Sequence, residues 1–233
     1  MKASFPTHAE VSVLRDSNAG HQQRRSAETR LAILDGMIEC LASQGYARTT
    51  TQLICEVAKI SRGAMLHHYP SKQDLITAVV DYTFYKRMEN FSNSVSQLSE
   101  HDRVALNMGI KTLWESCTTQ EYQAYVELHV AARTDEELRT IFVPQAERYL
   151  KIWVDNIQHL FPEWSHLDRK SFELSYDLVR ATFEGLLINR DIENKEREQV
   201  LVGFVANLLI ALREGVLSFP SESTDGKQSN NTP

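Results

Sequence analysis

The chain predicts an all-α fold, and three observations carry the prediction. Glycine and proline are scarce, 9 and 6 in 233 residues, among many leucines, alanines, glutamates and arginines, a balance that favours helices over a turn-rich sheet. From Ser26 almost to the C-terminal end, apolar residues recur at three- and four-residue intervals, the period of one helix face. Serine or threonine stands ahead of several of these runs, where a helix needs a cap for its first amides. At 42% apolar and 24% charged, the composition suits a globular protein with a sizeable core.

Residues 1–25 read as a flexible arm with a basic end, "HQQRR", which holds Arg24 and Arg25. From Ser26, a candidate cap with Glu28 in the first turn, Leu31, Leu34, Ile38 and Leu41 mark one helix face, and Gly45 stands where a left-handed residue can end it. Thr50 or Thr51 can cap a short helix holding Ile54, Val57 and Ala58; "KIS" forms the turn; Ser61 can cap a second short helix through Tyr69. Pro70 stops that helix, and Ser71 with Asp74 is a capping-box signal for a longer one carrying Leu75, Val79, Tyr82 and Met88. Beyond "NSVSQLSEHD" the pattern stays helical, with breaks near 118–121, 134–136, 160–168 and 189–193, and Pro144 marks a kink or boundary. The last two patterns, 169–189 and 193–216, carry wide apolar faces, and the polar tail 218–233 reads as disordered.

Several classes of protein fall away. The apolar run Val200 to Leu212 spans 13 residues, short of the ~20 a bilayer requires, and residues 1–25 lack the apolar core of a signal peptide. Cys40, Cys55 and Cys117 are scattered, with no C-x-x-C pair, as in a reducing compartment. A cytoplasmic protein without membrane partners is the expectation. No phosphate loop, nucleophile elbow, dinucleotide fingerprint or H-E-x-x-H is present, so no enzyme, cofactor or metal is expected. The net charge of −6 is unevenly divided: nine Lys/Arg face six Asp/Glu through Lys72, and sixteen face twenty-five beyond it. A basic end on an acidic body is compatible with phosphate binding, which follows the local field.

The stretch "TTTQLICEVAKISRGAMLHHYPSK" concentrates Arg62, His67, His68 and Lys72 after a small-residue turn. It can be a core helix pair, a metal site on the two histidines, or a DNA-reading head. Adjacent helical positions diverge by roughly 100° and clamp one ion poorly. Reading DNA requires a capped first helix whose amides face phosphate, apolar residues that fix the second helix, and small residues beside long donors at its start. Ile54 and Val57, Gly63 and Ala64, and Ser61, Arg62, His67 and Lys72 meet those needs.

In these residues the chain resembles the N-terminal domain of TetR-type transcriptional regulators. Gly45-Tyr46, Thr49-Thr50, Ile54-Cys55, Lys59-Ile60-Ser61, Gly63-Ala64-Met65-Leu66, His68-Tyr69, Ser71-Lys72 and Leu75 stand in register with that family's pattern. Three residues depart from it: Lys59 at the usual turn glycine, Leu66 at a usual phosphate-binding tyrosine, and Ala64 at a common threonine. The resemblance implies a helix-turn-helix domain over 26–87 (the motif near 50–69) and a helical regulatory and dimerisation domain over 88–217. Thr50, His68 and Lys72 would hold phosphates. Ser61, Arg62, Gly63, Ala64, Met65 and His67 would lie at the major groove, Tyr69 would be a buried strut, and Arg24 and Arg25 would reach backbone or minor groove.

The fold class expected is therefore a three-helix DNA-binding domain joined to a larger helical ligand-binding and dimerisation domain. The resemblance implies a subunit interface on the last two helices, and the candidates are Phe172, Leu178, Val179, Leu186, Leu201, Phe204, Val205, Leu208 and Leu212; a purely intramolecular core is the competing use. Trp114, Tyr122, Tyr125, His129, Phe142, Tyr149, Trp153 and Phe183 are candidates for a small-molecule effector site, or for core. The function expected is a homodimeric repressor released from a palindromic operator in double-stranded DNA by such an effector. The alternatives are an activator of the same family, or a helical small-molecule-binding protein without DNA binding.

Overall fold

The computed structural model describes residues 8–99, 101–102, 107–161, 164–190, 192 and 194–220, and every regular element among them is helical. The order is α1 (Ala9–Arg15), α2 (His21–Gln44), a short 3-10 turn (Tyr46–Arg48), α3 (Thr51–Ala58), α4 (Arg62–His68), α5 (Lys72–Ser96), α6 (Asn107–Cys117), α7 (Gln120–Ala131), α8 (Glu136–Leu160), α9 (Arg169–Ile188) and α10 (Lys195–Arg213). None of the described helices is long and apolar enough to cross a membrane.

The expected arm is folded where it is described. Helix α1 packs on α2, where Arg30 pairs with Glu10 at 2.7 Å, and reaches α5 through Arg15 and Glu89 at 2.5 Å. Helix α2 starts at His21 rather than Ser26, because the Gln23 side chain accepts from the Gly20 amide at 3.0 Å and closes the first turn. Residues 1–7 and 221–233, parts of the expected arm and tail, lie outside the described residues, while Phe219 packs against the core. Pro144 does not interrupt α8: it and Thr140, whose carbonyl loses an amide donor, are both exposed, so water can take that bond.

The other starts follow local chemistry. Thr50 accepts from the Leu53 amide at 3.2 Å, Ser61 from Ala64 at 3.1 Å, and Ser71 from Asp74 at 3.0 Å. Thr119, Asp135, Asp168 and Asn194 cap α7 to α10 in the same way. Gly45 ends α2 at φ +79°, ψ 164°, a conformation left to glycine, and a Cβ there would meet Glu127 Oε1 at 3.0 Å.

One continuous core runs through the molecule, from Ile33 and Leu34 to Leu209 and Leu212. Helix α5 is its axis, packing on α2 and on α6, α7 and α8. The domain boundary expected at 87/88 falls inside α5, which runs unbroken across it. At the other end α2 approaches α3 closely, since Gly36 leaves room for Ala58. A Cβ at Gly36 would lie 3.0 Å from the Ala58 Cβ and 3.2 Å from its backbone nitrogen. Gly36→Ala is expected to destabilise the protein by about 1–3 kcal/mol through overpacking. In urea unfolding the midpoint should fall with little change in slope; an unchanged midpoint would show that the two helices part without cost.

Candidate nucleic-acid interface and effector cavity

Helices α3 and α4 form a helix-turn-helix held from beneath. Ile54 and Cys55 on α3 and Met65 on α4 are buried, and the Met65 and Cys55 sulfurs are 3.6 Å apart. Tyr69 is buried just after α4. The turn rests on Lys59, the only non-glycine residue with positive φ among those described (φ 55°, ψ 43°). Its left-handed conformation lets the Ile60 amide bond back to the Cys55 carbonyl at 3.0 Å, closing α3 as a glycine would. A lysine there is strained by about 1–2 kcal/mol relative to glycine, partly offset by glycine's larger unfolded-state entropy.

Most candidate contact residues share one face. Ser61, Arg62, Gly63 and His67 are exposed, and Ala64 and His68 are half-buried. Met65 does not belong to this face: at 1% exposure it is the anchor of α4, which corrects its expected place at the groove. Leu66, omitted from the expected contacts, is 43% exposed one turn after Arg62. Its spacing of four residues from Arg62 could have placed it there. Across from Arg62, a shallow groove is lined by Thr51, Gln52 and Glu56 of α3. The His67 and His68 rings meet edge-on at 5.2 Å, and burial, then His67, lowers the His68 pKa. Among the described residues no group of His, Cys, Asp or Glu could hold a metal ion.

Beside this face lies a concavity of about 270 Å³ lined by Tyr46, Thr49, Thr50, Thr51 and Lys72. It gathers the N-termini of α3 and α5, and the Lys72 ammonium sits 5.4 Å from the centre of the Tyr46 ring. Free first-turn amides and a cation make such a place favourable to phosphate. Arg24 has other work: its guanidinium donates to the Leu14, Asp16 and Ala19 carbonyls at the end of α1. Its expected reach to DNA is thus corrected, whereas Arg25 is exposed.

The effector candidates divide. Tyr125, His129, Phe142, Tyr149 and Trp153 line a cavity of about 230 Å³ between α5, α7, α8 and α9, together with Phe84, Arg87 and Arg180. Tyr122 and Phe183 lie on a narrow cleft that shares Arg87, Trp153 and Arg180 with it. Trp114 lines neither; its indole donates to Glu198 at 3.0 Å and its ring meets Phe183. Burial lowers the His129 pKa and pushes the Cys117 thiol up to about 12, so neither is primed as a charged group or nucleophile. Arg87 was not anticipated; within an apolar helical pattern a lone arginine reads as a surface charge.

The subunit-interface candidates divide too. Phe172, Val179, Leu186, Val205 and Leu212 are buried within the single chain, which corrects their assignment to an interface. Leu178 and Leu208 are half-buried, and Leu201 (36%) and Phe204 (64%) are exposed. They continue into a strip with Leu174, Ile188 and Val200, all exposed.

A helix-turn-helix with an exposed second helix on a helical body defines a DNA-binding protein of that class. Residues 33–79 match the family model for bacterial regulatory proteins, tetR family. An uncharacterised HTH-type transcriptional regulator of Mycobacterium tuberculosis is 26% identical over 191 residues, 82% of this chain and 97% of that protein. The HTH-type transcriptional repressor AcnR of Corynebacterium glutamicum is 25% identical over 132 residues, 57% of this chain and 60% of AcnR. A transcriptional regulator from Rhodococcus sp. Rha1 shares the fold, with a TM-score of 0.59 at 14% identity over 78% of this chain and 95% of that one. The chain carries the DNA-binding domain of TetR-family transcriptional regulators, as its motif implied.

Because the left-handed turn residue is a lysine, Lys59→Gly is expected to raise stability by about 0.5–1 kcal/mol. A higher urea midpoint would register it, and a lower one would mean that Lys59 makes contacts outweighing its backbone strain.

Proposed function

We propose that the protein is a homodimeric repressor that reads a palindromic operator with α4 and is released by a small-molecule effector bound between α5, α7, α8 and α9. The observation that carries the reading is the joint exposure of Arg62, Leu66 and His67 beside the concavity formed by Thr50, Thr51 and Lys72. Arg62 suits the edge of a guanine and Leu66 a thymine methyl. Thr50, His68 and Lys72 set the register on phosphates, and Ser61, Gly63 and Ala64 let the helix come close. AcnR, a repressor by name, supports the sign of regulation. The unequal charge, acidic beyond Lys72, supports an approach of this end to DNA.

Release requires that an effector bind two conformations unequally. The joint between cavity and reading head is short. Helix α7, which gives Tyr125 and His129 to the cavity, also presents Glu127, which accepts from the Tyr46 amide at 2.7 Å. Asp135, the cap of α8, accepts from the Tyr46 hydroxyl at 3.2 Å. Tyr46 in turn lines the concavity with Thr50 and Lys72. A shift of α7 and α8 around a ligand is thus passed to the phosphate-holding groups.

Selection of bound duplexes from a random pool tests the reading. Wild type should enrich a palindrome, with a steep salt dependence, and Arg62→Ala should bind the selected site about 5- to 150-fold more weakly. No enrichment at low salt would remove the DNA-reading role of this face.

Two half-sites call for two subunits. The strip of Leu174, Leu178 and Ile188 on α9 with Val200, Phe204 and Leu208 on α10 is the surface we assign to pairing. Ile188, Val200 and Phe204 each have more than half their surface exposed, an unusual concentration for a free surface. Phe204→Asp is expected to give a folded monomer by sedimentation and to bind the palindrome at least ~10-fold more weakly through loss of the second contact. A dimer that persists would place the interface elsewhere.

A further inference from the structure

Arg87 is the anomaly of the regulatory half. It comes from the middle of α5, is 8% exposed, and lines both the effector cavity and its narrow cleft. Its guanidinium carbon lies 3.9 Å from the centre of the Tyr125 ring and 4.3 Å from that of Tyr122, with Phe84 and Trp153 at 5.5 and 5.9 Å. Its Nε has no hydrogen-bond partner, and among the described residues no carboxylate is within ion-pair distance of it. The polar groups around its charge are the neutral side chains of Tyr122, Tyr125, Tyr176 and Cys117.

The carboxylates nearby are engaged or remote. Glu184 and Asp177 pair with the neighbouring Arg180 at 3.3 and 3.4 Å. Asp81 accepts from the Tyr149 hydroxyl. Glu147 belongs to the cavity lining but is exposed. What is left over is one positive charge facing aromatic walls.

Resting on the reading of this cavity as the effector site, we propose that the ligand is a small organic carboxylate with an aromatic or cyclic body, its acid group held by Arg87. The chemistry discriminates among ligand classes. A cationic ligand would meet two guanidiniums. A neutral carbonyl can accept from Nε but leaves the buried charge uncompensated, a cost that an anion removes. The planar fork of arginine suits a carboxylate, two bonds at once. Phe84, Phe142 and Trp153 supply the flat apolar walls for its ring. A cavity of about 230 Å³ favours one ring over several.

Matched pairs of probes test this without DNA: phenylacetate, hydrocinnamate and cyclohexylacetate, each against its primary amide, titrated calorimetrically into the full-length protein. At least one acid is expected to bind wild type ~10-fold or more tightly than its amide, the range of a charge-assisted pair. Arg87→Met should bring acid and amide to within about 3-fold of each other. Arg87→Lys, which keeps the charge but not the fork, should retain only part of the preference and serves where the methionine variant does not fold. If no acid surpasses its amide on wild type, whether both bind or neither does, the assignment is wrong; so too if the preference survives in the variants. Acid binding that leaves the operator complex intact would keep this assignment and remove the effector reading. Operator release by an amide would do the reverse.

Discussion

The burial of α5 is the constraint from which the rest of the structure follows. Apolar and aromatic residues lie around much of its circumference, with Leu75, Ile76, Val79 and Val80 buried in its first half and Phe84, Met88, Phe91 and Val95 further along. A helix buried on so many sides must run through the middle of its protein. The first turn, capped by Ser71 and Asp74, therefore belongs to the reading head, and the last turns belong to the regulatory half. No hinge separates the two along this helix. In the paired arrangement proposed above, a change in spacing between heads would come from a tilt of α5, from the packing of α2 on α7 or from the contacts beside the start of α5.

Beside the broad packing of α2 on α7, the contacts at the start of α5 include polar ones. Tyr46 is held at both its amide and its hydroxyl by residues of α7 and the α8 cap, Glu127 and Asp135. Gly45 allows this because a side chain there would strike Glu127. The Tyr46 pKa is raised, first by burial, with Lys72 opposing; it remains a neutral donor throughout the physiological range. Hydrogen bonds with fixed donors and acceptors have discrete arrangements rather than graded ones, the kind of element a two-state regulator can use. Tyr82 to Asp35 at 3.1 Å adds a second polar tie, between α5 and α2.

The sequence carried the head more completely than the body, for physical reasons. Capping is local chemistry, so Thr50, Ser61 and Ser71 could be read as helix starts from a few residues each. Start residues misled where a competing side chain was available: Gln23 closes α2 five residues before Ser26. Met65 was misplaced because an apolar residue between half-buried Ala64 and exposed Leu66 can face either way, and only packing on Cys55 decides. Arg24 was misplaced because the frayed carbonyls of α1 that it satisfies belong to a helix not anticipated there. Phe172, Val179, Leu186, Val205 and Leu212 were assigned outward because two wide apolar faces do not say which side meets α5 and α6 and which side is left over. Arg87 gave no signal at all, since its burial depends on four helices closing around it.

Arg87 also ties the fold to the regulatory reading through cost. Taking a guanidinium out of water costs several kcal/mol even after relaxation, and a cation over an aromatic face returns about 2 kcal/mol when desolvated. The rings of Tyr122 and Tyr125 therefore offset only part of the expense, and the charge is not shed, because arginine stays protonated. A purely structural role would be better served by methionine, which fills the same space without desolvation. A cation kept under these conditions lowers stability in the empty protein and repays it only when an anion arrives. In the proposed reading this gives an anion its affinity, and it becomes regulation through a second conformation that presents Arg87 differently. Arg87 sits on α5, the helix whose first turns pack with the helix-turn-helix, so a ligand held there as proposed would bear directly on that end.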